Sequence, residues 1–465
     1  MWHRRFSIRG CHKEEALKEV TVEELLAKAE QPSKDALRLH PFYRGKIEVI
    51  PKCRIRDFND FAIWYTPGVA SPCKKIQRDK EQAYEMTNKW NFVAVVSDGS
   101  RVLGLGDIGP EAGLPVMEGK ALLYKYLGGV DAFPICLDTK EPEEIIKAVR
   151  WIQPTFGGIN LEDIAHPKCF HILDTLRREM EIPVWHDDQQ GTACVTVAGL
   201  LNAVKIVGKE LKDIRVAQIG AGAASIAISR LIVTAGVNPE NIIAVDSRGI
   251  LHKDRGDRDM LKTKYKQKWR LCETTNIRGI KGDIPEAMEG ADVVISASKP
   301  GPGVIKKEWI ETMANDPIVF AEANPIPEIW PWEAKEAGAR IVATGRSDFP
   351  NQVNNSLGFP GIFRGALDIR ATKITDEMCI EAAKELAKVA EDKGIHEEYI
   401  VPNMDEWEVF PREAVAVGSK GIEQGVARIK SSAKERFKQA ETIIKKAREE
   451  VQLLMKKGFI QDPDS

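Results

Sequence analysis

The sequence specifies an α/β protein made of two parallel-sheet units and a helical C-terminal segment, and three patterns carry that expectation. Between about residues 47 and 200, short β-type runs such as Phe92-Val-Ala-Val-Val96 and Ala132-Phe-Pro-Ile-Cys-Leu137 alternate with helical patterns over 142–152 and 170–180. That rhythm is the one expected of strands joined by crossover helices. From Ile214 a second series of short apolar strands, around 215–219, 241–245, 291–296, 317–320 and 340–343, recurs at intervals that suit a doubly wound sheet. Beyond Ile374 the periodicity turns helical, and Gly425–Lys457 reads as one long amphipathic helix.

A length of 465 residues supports two large domains. The apolar spacing over 14–40 predicts one or two amphipathic helices in an N-terminal arm, and a helix rich in small residues, Thr192–Val207, joins the two sheets. The expected division is therefore an arm at 1–46, a first α/β domain at 47–191, a doubly wound domain at 192–375 and a helical segment at 376–465.

Composition excludes several classes. With 67 basic and 69 acidic side chains the net charge is −2, which disfavours a nucleic-acid binder. The mean hydropathy is −0.28, and no apolar run approaches the roughly 20 residues of a bilayer span, so no membrane association is expected. Eight cysteines are scattered without a C-x-x-C pair, which fits reduced thiols in the cytoplasm. The Arg-rich stretch Met1–Arg9 shares its composition with transit peptides, but Glu14 and Glu15 end it, and it is read as a frayed terminus. Between Arg428 and Lys457 ten Lys or Arg face four Asp or Glu. This charge run reads as the solvated face of a packed or oligomer-forming helix.

Arg215-Val-Ala-Gln-Ile219 reads as a buried strand that leads into Gly220-Ala-Gly222-Ala223-Ala224-Ser225 and then a helix. Gly220 would supply the tight turn and Gly222 the close approach of backbone to a pyrophosphate lying on the helix N-terminus. Ser225 stands where the fingerprint usually has Gly or Ala. A second strand ends in Asp246, where a carboxylate can accept from ribose hydroxyls. Together these residues predict a dinucleotide site. Asp246 favours NAD, whereas Arg248 can meet a 2′-phosphate, so NADP stays open.

Packing does not account for the polar clusters of the first unit. Tyr65 sits in Tyr65-Thr-Pro-Gly-Val-Ala70, where Pro and Gly end any regular element. The stretch Ser97–Gly109 packs four glycines and Arg101 into thirteen residues, a loop that brings backbone close to a small ligand, with a guanidinium to clamp a carboxylate. Met117-Glu-Gly-Lys120 presents a lysine at the head of an apolar helix, where burial is expected to lower its pKa into the range of a base. Glu162-Asp163 and Asp187-Asp188 are acid pairs at the ends of apolar strands. They would repel unless a cation neutralised them, and three oxygen donors suit Mg²⁺ or Mn²⁺. His166 and His186, which flank these acids, are read as structural.

In combination these motifs resemble the malic enzyme family, in the short form typical of bacteria and archaea. The resemblance runs from about Gly45 to Asp368. It rests on Tyr65-Thr-Pro-Gly-Val-Ala, Asp98-Gly-Ser-Arg-Val-Leu-Gly-Leu-Gly-Asp-Ile-Gly109, Met117-Glu-Gly-Lys120, Asn160-Leu-Glu-Asp163, His186-Asp-Asp-Gln-Gln-Gly-Thr-Ala193 and Asn354-Asn-Ser-Leu-Gly-Phe-Pro-Gly361. It implies a malic-enzyme N-terminal domain followed by a Rossmann-type NAD(P)-binding domain. It also implies oxidation of L-malate with NAD or NADP and decarboxylation of the resulting oxaloacetate to pyruvate and CO₂. By motif, Lys120 is the base for the C2 hydroxyl, Tyr65 the acid that protonates C3 of enolpyruvate, and Asp187 the partner of the lysine. Glu162, Asp163 and Asp188 match the metal ligands, Arg101 and Asn355 the carboxylate binders, and Asn324 the asparagine near malate and nicotinamide. Thr192 and Ser296 are placed at the cofactor. Residues 376–465 carry no motif of comparable strength and are expected to make the contacts of a homodimer or higher homo-oligomer, with no phosphotransacetylase-like extension. Two rival readings share these residues: malolactic chemistry, which converts malate to lactate with NAD retained, and a non-catalytic dinucleotide sensor. A sensor has no need of a proton-transfer pair beside a metal site.

Overall fold

The computed structural model describes residues 22–464. The basic stretch Met1–Arg9, the start of the arm and Cys11 lie outside the described residues. Helix α1 (Val22–Tyr43) comes first, and short helical turns lead to a first sheet. Its strands are β1 (Phe92–Ser97), β2 (Asp131–Cys136), β3 (Gly158–Leu161) and β4 (Val184–His186), all parallel in the order β2-β1-β3-β4. Val93 and Val95 enter one core cluster while Ala94 and Val96 enter another. That is why β1 reads as an unbroken apolar run, as strands covered on both faces do. Helix α2 (Pro110–Gly128) has proline in its first turn and ends on Gly129 in the left-handed conformation. Helix α3 (Lys168–Glu179) leads to β4.

The joining helix α4 spans Asp187–Ile206 and not Thr192–Val207 as expected. It starts directly after the three-residue β4, with Asp187 and Asp188 in its first turn, where the helix dipole favours acids. A boundary drawn at 191/192 therefore cuts a continuous helix. The second sheet has the order β10-β9-β8-β5-β6-β7. It comprises β5 (Val216–Ile219), β6 (Ile242–Asp246), β7 (Gly249–Ile250), β8 (Val293–Ser296), β9 (Ile318–Ala321) and β10 (Ile341–Thr344), parallel except for the antiparallel β6–β7 edge. Helix α5 (Ala223–Ala235) follows β5, where the strand order reverses and a ligand crevice opens.

Four helices follow: α6 (Phe359–Asp368), α7 (Asp376–Lys393), α8 (Val409–Glu423) and α9 (Ala433–Lys456). The single helix expected over Gly425–Lys457 is shorter. Gly425 has a φ of +72°, and Ser432 opens α9 with a capping box to Glu435. Helix α7 packs on α4, α8 on α6, and α9 on α2. Leu127 of α2 meets Phe410 and Ile444. A buried ion pair, Arg364–Asp368 at 2.7 Å, binds Asn91 on one side and Gln439 on the other. The C-terminal helices thus complete the core of the first unit. Among the described residues no helix is long and apolar enough to cross a membrane.

Candidate active site

Four carboxylates and one ammonium converge at the carboxyl ends of β3 and β4. Glu162 and Asp163 follow β3. The backbone N–H of Asp163 donates to Asp188 Oδ2 at 2.9 Å. Oxygens of Glu162, Asp163 and Asp188 lie within 4.8 Å of one another. From α2, buried Lys120 reaches Asp187 Oδ2 at 2.5 Å and Glu162 Oε1 at 3.0 Å, with its Nζ over the Phe359 ring. Three residues missed in the sequence brace these acids. The Trp185 indole N–H donates to Asp187 Oδ1 at 2.9 Å. Asn160 Nδ2 donates to Glu162 Oε2 at 2.8 Å, while its Oδ1 accepts from the Tyr124 hydroxyl at 3.0 Å.

The electrostatics correct one expectation. Burial does pull the Lys120 pKa down, but the charges of Asp187 and Glu162 outweigh it and hold the ammonium above the ordinary lysine range. Burial pushes Asp163 up to about 8, helped by the Asp188 charge, and lifts Glu162 well above the usual carboxylate range. Asp163 Oδ2 is buried without a hydrogen-bond partner. Crowded hard oxygens with one orphaned among them fit a divalent cation such as Mg²⁺ or Mn²⁺. His186 is buried with neither ring nitrogen hydrogen-bonded, and burial lowers its pKa. That favours the neutral imidazole, whose Nδ1 lies 3.5 Å from Asp188 Oδ2. The His166 ring lies beside Tyr265.

Three further expected residues border the cluster. The Arg101 N–H donates to the Asp163 carbonyl at 3.0 Å, which seats the glycine loop against the acids. Its guanidinium has no ion-pair partner among the described residues. A Cβ on Gly191 would lie 2.0 Å from Asp187 Oδ1 and 3.1 Å from Asn355 Cβ, so only glycine admits Asn355 this close to Asp187. A Cβ on Gly104 would lie 2.8 Å from the Asn324 carbonyl oxygen, so the same glycine loop abuts the turn after β9. Tyr65 stands apart. It is 73% exposed, and its hydroxyl makes no hydrogen bond among the described residues.

The dinucleotide turn has its expected form. Gly220 takes a φ of +103°. Gly222 caps α5 without a side-chain hydrogen bond, so the N–H groups of the first turn, including Ala223 and Ala224, stay available to an anion. No atom lies within 4 Å of where its Cβ would be. Ser225 instead donates to the Ala297 carbonyl at 3.1 Å and packs the helix onto the β8 end. Ser296 donates to Glu328 at 2.8 Å, and the Thr192 carbonyl accepts from Thr196. Asp246 is surrounded by cations. Its Oδ1 accepts from the Arg248 N–H and from Arg255 Nη1, each at 2.9 Å, and its Oδ2 lies 3.2 Å from Lys268 Nζ. Arg248 is 60% exposed on its side chain and pairs with Asp257. Arg255 and Lys268 were missed, although the basic run 253–268 was a visible signal.

Two family models match the sequence: the malic enzyme N-terminal domain over residues 44–177 and the malic enzyme NAD binding domain over residues 189–420. The chain belongs to the malic enzyme family. The second match extends past Asp368, where the motif resemblance ended, and takes in α7 and most of α8. A relative from Geobacillus stearothermophilus named NAD-dependent malic enzyme is 52% identical over 384 residues, covering 83% of this chain and 78% of that protein. One from Bacillus subtilis named bifunctional malic/malolactic enzyme is 49% identical over 397 residues, 85% of this chain and 94% of that one. The solved malic enzyme of Entamoeba histolytica superposes with a TM-score of 0.93 at 52% identity, covering 95% of this chain and 92% of that chain.

Proposed function

We propose that this chain oxidises L-malate at C2 and releases its C4 carboxylate as CO₂, leaving pyruvate. NAD⁺ or NADP⁺ would be the oxidant, and Mg²⁺ or Mn²⁺ would be held by Glu162, Asp163 and Asp188. The observation that carries this reading is the buried Lys120 ammonium between Asp187 and Glu162 beside a three-carboxylate cluster. When bound, the nicotinamide supplies a hydride acceptor and the divalent ion a Lewis acid for the substrate oxygens.

Lys120 exchanges a proton with the C2 hydroxyl, and Asp187 stabilises the ammonium that results. Because Glu162 also favours that ammonium, Lys120 becomes an effective base once Glu162 is engaged elsewhere. Arg101 and Asn355 bind the malate carboxylates, and Asn324 orients malate against the nicotinamide. Gly220, Gly222, Ala223 and Ala224 seat the pyrophosphate, Ser225 packs beneath it, and Thr192 and Ser296 shape the pocket. Tyr65 protonates C3. It sits in a stretch where Val49, Phe58, Ile63 and Trp64, like Leu37 of the arm, are all exposed, apolar surface of the kind that marks an interaction face. We assign that surface to a second copy of the chain, so that Tyr65 completes the site within a homodimer or larger homo-oligomer. In this scheme 47–191 serves substrate and metal, 192–375 serves the cofactor, 1–46 and 376–465 support assembly, and the enzyme works in the cytoplasm.

The test is NAD(P)H absorbance with L-malate and Mn²⁺, using each cofactor separately, together with pyruvate detection. Lactate without net NAD(P)H would instead favour the malolactic reading that the Bacillus subtilis relative's name raises.

The caged Asp246 changes the cofactor expectation. Two acids, Asp246 and Asp257, face Arg248, Arg255 and Lys268, so the repulsion of a 2′-phosphate expected from Asp246 is cancelled. Lys268→Ala should raise the preference for NAD⁺ over NADP⁺, read as the ratio of kcat/KM values, by about tenfold, the effect of roughly 1.4 kcal/mol. An unchanged ratio would remove Lys268 from cofactor choice.

A further inference from the structure

Glu322 lies at the end of β9, two residues before Asn324, and is buried. Its Oε1 is 2.7 Å from Thr196 Oγ1 on α4, and its Oε2 has no hydrogen-bond partner. Thr196 has one hydroxyl proton and two acceptors in reach, since its Oγ1 also lies 2.8 Å from the Thr192 carbonyl, which can only accept. A carboxylate at Glu322 must compete for that proton, whereas a neutral acid brings a proton of its own and lets both contacts form at once. Glu328 offers the contrast. Its Oε1 accepts from the Ser296 hydroxyl and from the N–H and hydroxyl of Ser298, and its Oε2 accepts from the Ala323 N–H. Glu328 is furnished with donors as a carboxylate, whereas Glu322 has only the contested hydroxyl of Thr196.

We propose that Glu322 is a positioning residue that works in its protonated form, donating to Thr196 and so fastening helix α4 to strand β9. The first turn of α4 carries Asp187 and Asp188, and β9 leads to Asn324, so this one bond holds the two halves of the site in register. Only the expected effect on turnover rests on the function proposed above; the location of the proton does not. Burial raises Glu322 to about 8; the Thr196 hydroxyl opposes it, Glu328 adds a smaller push, and Glu328 is the one charged group bearing on it among the described residues. Above that pH a bare buried carboxylate would compete with the Thr192 carbonyl for the single Thr196 proton, and the link would weaken.

Glu322→Gln keeps a donor for Thr196 and cannot ionise. An unfolded glutamate ionises near 4.3, whereas folded Glu322 keeps its proton to about 8. The folded state thus binds more protons across that window, and its stability falls as pH rises through it. The Tm of Glu322→Gln should match wild type near the lower end, pull ahead as pH rises and keep a constant lead above about 8. In the wild type, KM for malate and cofactor should climb above about 8 and stay flat in the variant. Thr196→Val removes the acceptor of the acid's proton, so its KM for malate and cofactor should already be raised at low pH. If the glutamine variant does not fold, infrared difference titration of the wild type against Glu322→Leu decides, by whether a neutral carboxylic acid band belonging to Glu322 persists to about 8. Parallel Tm curves, a Thr196→Val enzyme with wild-type KM at low pH, or loss of that band well below 8 would each overturn the proposal. Because Tm and infrared need no substrate, they separate its failure from failure of the malate reading.

Discussion

Lys120→Ala is expected to lower turnover of L-malate by about 10²–10⁴-fold, the usual loss when a positioned acid or base is removed. Among the described residues Lys120 is the one cation in contact with Asp187 and Glu162, so the substitution also strands two buried acids. Breaking a buried ion pair by deleting one partner costs about 3–5 kcal/mol, and a fall in Tm should accompany the kinetic loss. The two effects separate by rescue. Methylammonium, small enough for the vacated volume, should restore part of the turnover of folded Lys120→Ala in a concentration-dependent way. A folded variant that turns over malate at near the wild-type rate would remove Lys120 from proton transfer.

Chelation should abolish activity outright. Glu162, Asp163 and Asp188 crowd oxygens within 4.8 Å, and among the described residues Lys120 is the only cation paired with an acid of this cluster. EDTA should therefore stop turnover, and Mn²⁺ or Mg²⁺ should restore it, with Zn²⁺ a poorer substitute because every donor is a hard oxygen. Asp188→Asn keeps an oxygen to accept the Asp163 N–H while removing a charge. It should raise the Mn²⁺ concentration needed for half-maximal activity by at least about tenfold. The same shift should appear in direct Mn²⁺ binding followed without substrate. Full activity after exhaustive chelation would refute the assignment.

The parts of this molecule that local chemistry controls were legible in the sequence. The apolar runs of β1, β5 and β6 fold within a residue or so of the expected bounds, because strands buried on both faces announce themselves without reference to partners. The turn at Gly220 was visible for the same reason. Lys120 shows where such reading stops. Its position on an apolar helix predicted a lowered pKa, but the acids that reverse the sign lie 42 and 67 residues away and meet it only through the parallel packing of β3 and β4. The surroundings of Asp246 were out of reach in the same way, since Lys268, 22 residues on, was silent until a helix returned it to the strand end. The break before α9 was different: Ser432-Ala-Lys-Glu435 is a capping box in plain sight. There the helical periodicity on either side masked a local stop.

The docking of the last helices on the first sheet has a consequence for how the chain is made. Leu127 finds Phe410 and Ile444, and Asn91 finds Arg364, only after some 270 to 320 further residues have been added. During synthesis the outer side of α2 must remain bare while the whole dinucleotide unit emerges, so the part translated first is completed last. Contacts of such long sequence separation slow folding and prolong the exposure of apolar surface. The nascent first unit is thus a natural client for a chaperone, whereas the second sheet, whose strands join over short spans, can mature while waiting for its neighbour to close.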